Sequence, residues 1–335
     1  MKVLITGGAG FIGSTVASAC LDAGLAPVVL DDLSAGRREF TAGRPSYEGA
    51  ITDTALLDRI LDEHPGVAAV VHCAARIVVP ESVAHPARYY DNNVVGTLRL
   101  AQHLAARGCP RLLFSSSASI YASPAAGFAG SDFAVDETAP LAPSSPYARS
   151  KAMAEQILAD VSTATDLRVL SLRYFNPIGA DPQLRTGLQH RAPTHALGRL
   201  ITAYESGTPF TLAGTDWPTR DGSAIRDFVH VWDLARAHVA ALVGFDDALG
   251  GATHRALNLG TGSGTTVREL VEAFGEVVGE VKVEEGPRRP GDVVGAFARS
   301  GSAERLLGWR AERTLEDGVR DALAWNARRP AVLGA

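Results

Sequence analysis

Lys2-Val3-Leu4-Ile5-Thr6-Gly7-Gly8-Ala9-Gly10-Phe11-Ile12-Gly13 decides how the chain is read. The apolar run at 3–6 is a strand candidate, and the stretch at 11–23 is a helix candidate. Between them the glycines fit G-x-x-G-x-x-G from Gly7 and G-x-G-x-x-G from Gly8. Such a turn meets three physical needs: a tight reversal, a main chain without Cβ atoms near a pyrophosphate, and close helix–strand packing. Amides at the start of the helix then face the phosphates. The next strand candidate, 28–31, ends in Asp31, 18 residues past Gly13. A carboxylate there suits the 2′-hydroxyl of an adenosine ribose and repels a 2′-phosphate, so NAD is expected rather than NADP.

The pattern continues outward from this unit. Further strand candidates lie at 47–51, 69–72, 112–115 and 169–173, with helix candidates at 54–63, 93–106 and 146–161. Short apolar runs alternating with longer amphipathic ones imply repeated βαβ units, hence an α/β fold with a doubly wound parallel sheet. Its strands, buried on both faces, should read as continuous apolar runs, and these largely do. The rhythm changes after Asn176. Segment 177–225 is rich in Pro, Gly, Thr and Arg, with one helix candidate at 196–206. Strand candidates at 228–231 and 256–259 and helix candidates at 233–242, 267–278 and 314–326 complete the chain. The expected organisation is a dinucleotide domain at 1–175 and a smaller, partly interleaved α/β substrate domain at 176–335. Some of the later segments should return to the first domain.

Bulk properties narrow the function. The 335 residues carry a net charge of −5, which argues against nucleic acid as the main partner. Cys20, Cys73 and Cys109 stand far apart in no metal-site or disulfide spacing, so no metal is expected and a reducing compartment is. No signal-peptide core or spanning run is present, and a cytoplasmic, membrane-free protein is expected.

Tyr147-Ala148-Arg149-Ser150-Lys151 places a phenol and an ammonium four residues apart, on one face of a helix that Ser145 would cap and Pro146 would open. A nearby cation favours phenolate, as general-base chemistry requires. YxxxK alone is common. Here it follows a nucleotide fold, and Ser117 ends the strand 112–115 region at the carboxyl edge, where ligands bind in such sheets.

These residues identify a resemblance to the extended short-chain dehydrogenase/reductase family, and within it to the UDP-glucose (UDP-galactose) 4-epimerase branch. It rests on GGAGFIGS at 7–14, DDLSAG at 31–36, HCAA at 72–75, YYDNNVVGTL at 89–98, SSSASIY at 115–121, SPYARSK at 145–151 and RYFNPIGA at 173–180. The second half adds DWPTRDG at 216–222, RDFVHVWDLA at 226–235, NLGTGSG at 258–264 and RRPGD at 288–292.

The resemblance implies a Rossmann-type fold and a tightly bound NAD that is regenerated in each turnover. It implies Tyr147 as base on the sugar 4-hydroxyl, Lys151 as its electrostatic partner and a ribose ligand, and Ser117 as a hydrogen-bonding relay. Cofactor contacts are implied at Gly7, Gly10, Phe11, Ile12, Gly13, Asp31, Ile51, Ala74, Asn93, Ser115, Tyr147, Lys151 and Tyr174. Besides Ser117 and Tyr147, the UDP-sugar is implied to meet Asn176, Arg226 and Arg289 at its diphosphate and Asp292 at its ribose. The implied reaction oxidises C4 transiently; the 4-keto sugar rotates and takes the hydride back on its other face. A homodimer through the helices at 93–106 and 146–161 is expected by the same analogy.

Four positions depart from the family pattern. Ala50 stands where an Asp often contacts adenine, and Ile77 where a Lys often lies near the cofactor. His195 occupies an approximate Asn position. Ala296, four past Asp292, is a small residue at a place that gates the sugar pocket. A small gate leaves UDP-GlcNAc/UDP-GalNAc as an alternative substrate pair, beside pentose or uronate nucleotides. A dehydratase would need an Asp-Glu pair after the serine strand end, where Ala118-Ser119 stands. A decarboxylase and a non-catalytic NAD sensor are the remaining alternatives.

Overall fold

A computed structural model of the chain describes residues 1–122, 133–191, 193–289 and 292–334. Seven strands form one parallel sheet in the order His254–Leu259, Arg168–Tyr174, Arg111–Ser117, Val67–His72, Lys2–Thr6, Ala26–Asp31, Ser46–Glu48. Strand order reverses between Lys2–Thr6 and Val67–His72, so a crevice opens there at the carboxyl edge. The expected α/β, doubly wound architecture is what the chain adopts.

Alternate side chains of the strands serve two cores. Val3, Ile5, Val29 and Val71 pack with Val16, Ala17 and Cys20 of helix Phe11–Asp22, and with Leu234 and Ala241 of helix Val231–Val243. Leu4, Leu30, Val70 and Phe114 pack with helices Thr54–Glu63, Gly96–Ala106 and Pro146–Ala164 through Leu57, Ile60, Leu100, Leu104, Ala154 and Leu158. A third core gathers Ile178, Leu200, Phe210, Phe228, Phe274 and Val319 from the later part of the chain. The short pairings there include Asn176–Ile178 with Phe228–His230, and Phe210–Ala213 with Val283–Gly286.

Several element boundaries differ from expectation, three of them in a way that changes the local structure. The strand expected at 47–51 is Ser46–Glu48, because the chain bends at Gly49 and Ala50–Ile51 enter a turn. The helix expected to begin at Asn93 is π-helical over Tyr90–Val95 and α-helical only from Gly96–Ala106. The last helix runs on to Leu333 with Pro330 inside it. Among the described residues, no helix is long and apolar enough to cross a membrane.

Candidate active site

The glycine turn is shaped by what a side chain would strike. Gly7 has φ +70°, and a Cβ on it would lie 2.5 Å from the Ala74 nitrogen. A Cβ on Gly13 would lie 2.3 Å from the Gly7 carbonyl oxygen. Gly10 stands in extended conformation at the N-terminus of helix Phe11–Asp22, with no side-chain cap on the helix amides. Asp31 is buried at the edge of the crevice, where its Oδ2 accepts from Ala9 N and its Oδ1 from Leu33 N, each at 2.9 Å. Burial pushes its carboxyl up, and those two amides pull it back. Ile51 lies in the turn after the third strand and rests against Gly96.

Asn93 is 2% exposed and its amide is fully engaged. Its Nδ2 donates to Arg76 O at 3.0 Å and to Ser150 Oγ at 2.9 Å, and its Oδ1 accepts from Arg76 N and Asn92 Nδ2. It fixes the loop after Val67–His72 to the helix that carries Tyr147. A buried relay supports it from behind. Thr97 Oγ1 donates to Asn93 O, so His72 Nε2–H donates to Thr97 and His72 Nδ1 accepts from Thr6. Burial, then the Lys151 charge, push that imidazole down to about 3, which keeps it neutral.

Ser145 Oγ accepts from Ala148 N at 3.1 Å and Pro146 opens helix Pro146–Ala164, the start expected from sequence. Tyr147 and Lys151 follow one turn apart. Lys151 is 3% exposed; its Nζ donates to Ser115 O at 2.7 Å and lies 4.8 Å from the centre of the Phe114 ring. Burial pushes the ammonium down to about 8, against the opposing pull of Cys73 and Glu155. Burial raises the Tyr147 phenol, and a hydrogen bond with the Ser117 hydroxyl lowers it. Ser117 Oγ also lies 2.9 Å from Ser119 Oγ, within hydrogen-bond distance. Tyr174 is held well above the ordinary phenol range by burial, then by Cys73 and Tyr147, while Ser115 opposes them. Ser115 Oγ lies 3.1 Å from Cys73 Sγ and 3.5 Å from Nε2 of His238, whose Nδ1–H is committed to Leu234 O.

A second cluster lies on the later part of the chain. Arg226 Nη1 donates to Ile225 O at 2.7 Å and Val294 O at 3.0 Å. Its neighbour Asp227 is wholly buried and accepts from Thr261 N and Ala298 N. Gly295, with φ +106°, lets the main chain pass where a Cβ would lie 1.8 Å from Ile225 O. Burial pushes the Arg226 and Arg199 guanidinium groups down; on each of them Arg289 acts in the same direction and Asp292 opposes it. Three cations against one carboxylate leave two positive charges, the complement of a diphosphate. Asn176, on the strand paired with Phe228–His230, donates its main-chain N–H to Asp227 O, so it lies beside this cluster. Pro290 and Gly291 of the RRPGD stretch lie outside the described residues.

Sequence reasoning named every one of these charged groups except Asp227, quoted only within the stretch 226–235, and Arg199, which carries no motif and is recognised only by its company. It also missed Glu155 and His238, buried polar groups that meet Ser116 and Ser115 of the serine strand end. The His195 question has a structural answer: Nδ1 accepts from Gly198 N at 3.2 Å, so the ring caps helix Ala196–Ser206. Burial takes it down to about 4, and a neutral ring is what capping needs.

Residues 3–260 match the model of the NAD dependent epimerase/dehydratase family. The chain belongs to that family. UDP-glucose 4-epimerase of Azospirillum brasilense is 43% identical over 328 residues, covering 97% of this chain and 91% of the relative. The UDP-glucose-4-epimerase of Stenotrophomonas maltophila, solved with bound NAD and formylated UDP-arabinopyranose, is 35% identical with a TM-score of 0.90 over 99% of both chains. The UDP-Glc/GlcNAc 4-epimerase of Campylobacter jejuni, also 35% identical, has a TM-score of 0.80, covering 98% of this chain and 99% of the other. The family's cofactor fits the residues present: the Cβ-free turn and uncapped helix amides suit a pyrophosphate, and Asp31 suits a ribose diol.

Proposed function

We propose that this protein is an NAD-dependent UDP-hexose 4-epimerase, interconverting UDP-glucose and UDP-galactose through a 4-keto sugar. The observation that carries the reading is the division of the site. Tyr147, Lys151 and Ser117 stand at the carboxyl edge of the sheet, and a net-positive arginine cluster stands apart on the later segments. An epimerase must anchor the nucleotide firmly while the hexose turns over, and separate anchoring and reacting groups meet that need.

Tyr147 takes the 4-hydroxyl proton, with Ser117 hydrogen bonding to the reacting oxygen and to the phenol. Lys151, held by Ser115 O, places a cation beneath the phenol and favours phenolate. Bound NAD would supply the hydride acceptor and donor for C4. Arg226, Arg289 and Asn176 hold the diphosphate, Asp292 the ribose, and the glycine turn with Asp31 the cofactor. Asn93 serves by fixing the Arg76 loop against Ser150, since its amide has no free donor.

Ala296 is half-buried and stands between Gly295 and the strand Phe297–Ala298, which supports a pocket open to a 2-N-acetyl group as a second reading. Ile77, Val79 and Val83 are exposed beside the Pro146–Ala164 helix, where Met153 is also exposed. They support a homodimer through this face, and light scattering at micromolar concentration tests it. The three free thiols suit a cytoplasmic protein.

The deciding experiment incubates purified enzyme with UDP-galactose and no added cofactor, beside Tyr147→Phe. Conversion to UDP-glucose by the parent and none by the variant is expected. Undiminished turnover by Tyr147→Phe sinks the mechanism.

A further inference from the structure

Behind the reacting groups lies a buried ion pair that the mechanism does not use. Glu155 and Arg173 are 4% and 6% exposed. Arg173 Nε donates to Oε1 and Oε2 of Glu155 at 3.0 and 3.1 Å, and Nη2 donates to Oε2 at 2.6 Å. Glu155 also accepts from the Ser116 hydroxyl. Arg173 Nη1 donates onward to Tyr121 Oη at 2.9 Å, and that phenol donates to Asn258 Oδ1 at 2.6 Å.

The placement of these partners is the point. Glu155 follows Lys151 by one helical turn. Ser116 stands between Ser115, whose carbonyl holds Lys151, and Ser117, which reaches Tyr147. Ser116 and Arg173 are direct partners across the sheet, as are Ser117 and Tyr174. A buried ion pair is a poor device for stability alone, because apolar groups of the same volume usually serve as well or better. What this one does is tie the serine strand end to the helix of Tyr147 and Lys151, and put a fixed negative charge near the ammonium.

We propose that Glu155, held by Arg173, is a positioning residue for 4-epimerisation: it locks the Ser115–Ser117 strand end to the Tyr147/Lys151 helix and keeps Lys151 as an ammonium. This rests on the reading of Tyr147 and Lys151 given above. The groups around Lys151 are Glu155 on its own helix, with Arg173 bound behind it and Tyr147 one turn before, His72 and Cys73 at the end of the neighbouring strand, and the Phe114 ring and Ser115 carbonyl. His72 at about 3 and Cys73 at about 11 stay neutral between those limits. The charge that helps to keep Lys151 protonated at working pH is therefore the Glu155 carboxylate.

The test is the pH profile of kcat and KM for UDP-galactose, measured on the holoenzyme. In Glu155→Gln the alkaline limb moves to lower pH, with kcat down about tenfold near pH 9, a smaller loss near pH 7, and KM within about threefold. Glu155→Asp, which keeps the charge, restores the limb. Glu155→Met/Arg173→Met removes a charge of each sign without orphaning either, so its limb moves the same way but less. Ser116→Ala, the mildest change, lowers kcat with the limb unmoved. A folded Glu155→Gln or double variant whose limb stays in place overturns the proposal. Should neither fold, unchanged kcat in Ser116→Ala overturns it. Turnover surviving Tyr147→Phe instead removes the underlying reading; an inert Tyr147→Phe beside an unaltered Glu155→Gln removes only this inference.

Discussion

The Lys151 ammonium donates to the Ser115 carbonyl at 2.7 Å while packed on the Phe114 ring, so this buried cation, one helical turn from Tyr147, is held by the neighbouring strand. Its pKa is pushed down to about 8 by burial, so it is charged below that value and neutral above it. Turnover should therefore fall as pH rises through about 8, measured as kcat at saturating UDP-galactose. Lys151→Met should lose on the order of a hundredfold in kcat at every pH and lack that limb.

Asp31 has two tasks, since its oxygens accept from Ala9 and Leu33 before any ribose arrives. Asp31→Asn replaces one acceptor with a donor and leaves one of those amides facing it unpaired, which costs about 1–3 kcal/mol. Thermal unfolding should shift downward, and acid extraction should release less NAD per chain. NADP should inhibit the variant more than the parent, because the charge that repels a 2′-phosphate is gone.

The Arg199 guanidinium has no hydrogen-bond or ion-pair partner among the described residues, yet it feels both Arg289 and Asp292. Arg199→Met should raise KM for UDP-galactose by about tenfold, the scale of one charge-assisted hydrogen bond, with kcat altered less. Inhibition by UDP should weaken by a similar factor. A KM equal to the parent's would place Arg199 outside the diphosphate site.

Ala296 follows Gly295, whose main chain is pressed against Ile225 O. If Ala296 lies at the sugar as proposed, Ala296→Tyr should cut turnover of UDP-GalNAc by at least about tenfold while sparing UDP-galactose. Chromatography of both reactions against their 4-epimers reads the ratio.

Much of this was legible from residues alone because local chemistry and global fold agree. The glycine turn, the Ser145 cap and the Tyr147/Lys151 spacing each specify their own conformation within a few residues. What was not legible depends on residues far apart in the chain. Glu155 acquires meaning only when Arg173 arrives from the next strand, and Arg199 only when Arg289 and Asp292 fold beside it. The third strand was drawn too long because Ile51 reads as strand while Gly49 and Ala50 turn the chain. The π-helical stretch Tyr90–Val95 leaves no mark on apolar periodicity; the bonds of Asn93 to Arg76 and Ser150 lie within it.

The seventh strand, His254–Leu259, closes the sheet on Arg168–Tyr174 only after residues 175–253 have intervened in the chain. A ribosome that has just finished Tyr174 must translate through residue 253 before that neighbour exists, a delay of about 4–16 s at ordinary elongation rates. During it the nascent chain shows a bare parallel edge, with Leu170 and Leu172 lacking the cover that Leu257 and Leu259 later give. A gene cut after the first six strands would make that interval permanent, and its product would be an aggregating fragment rather than a free-standing nucleotide domain.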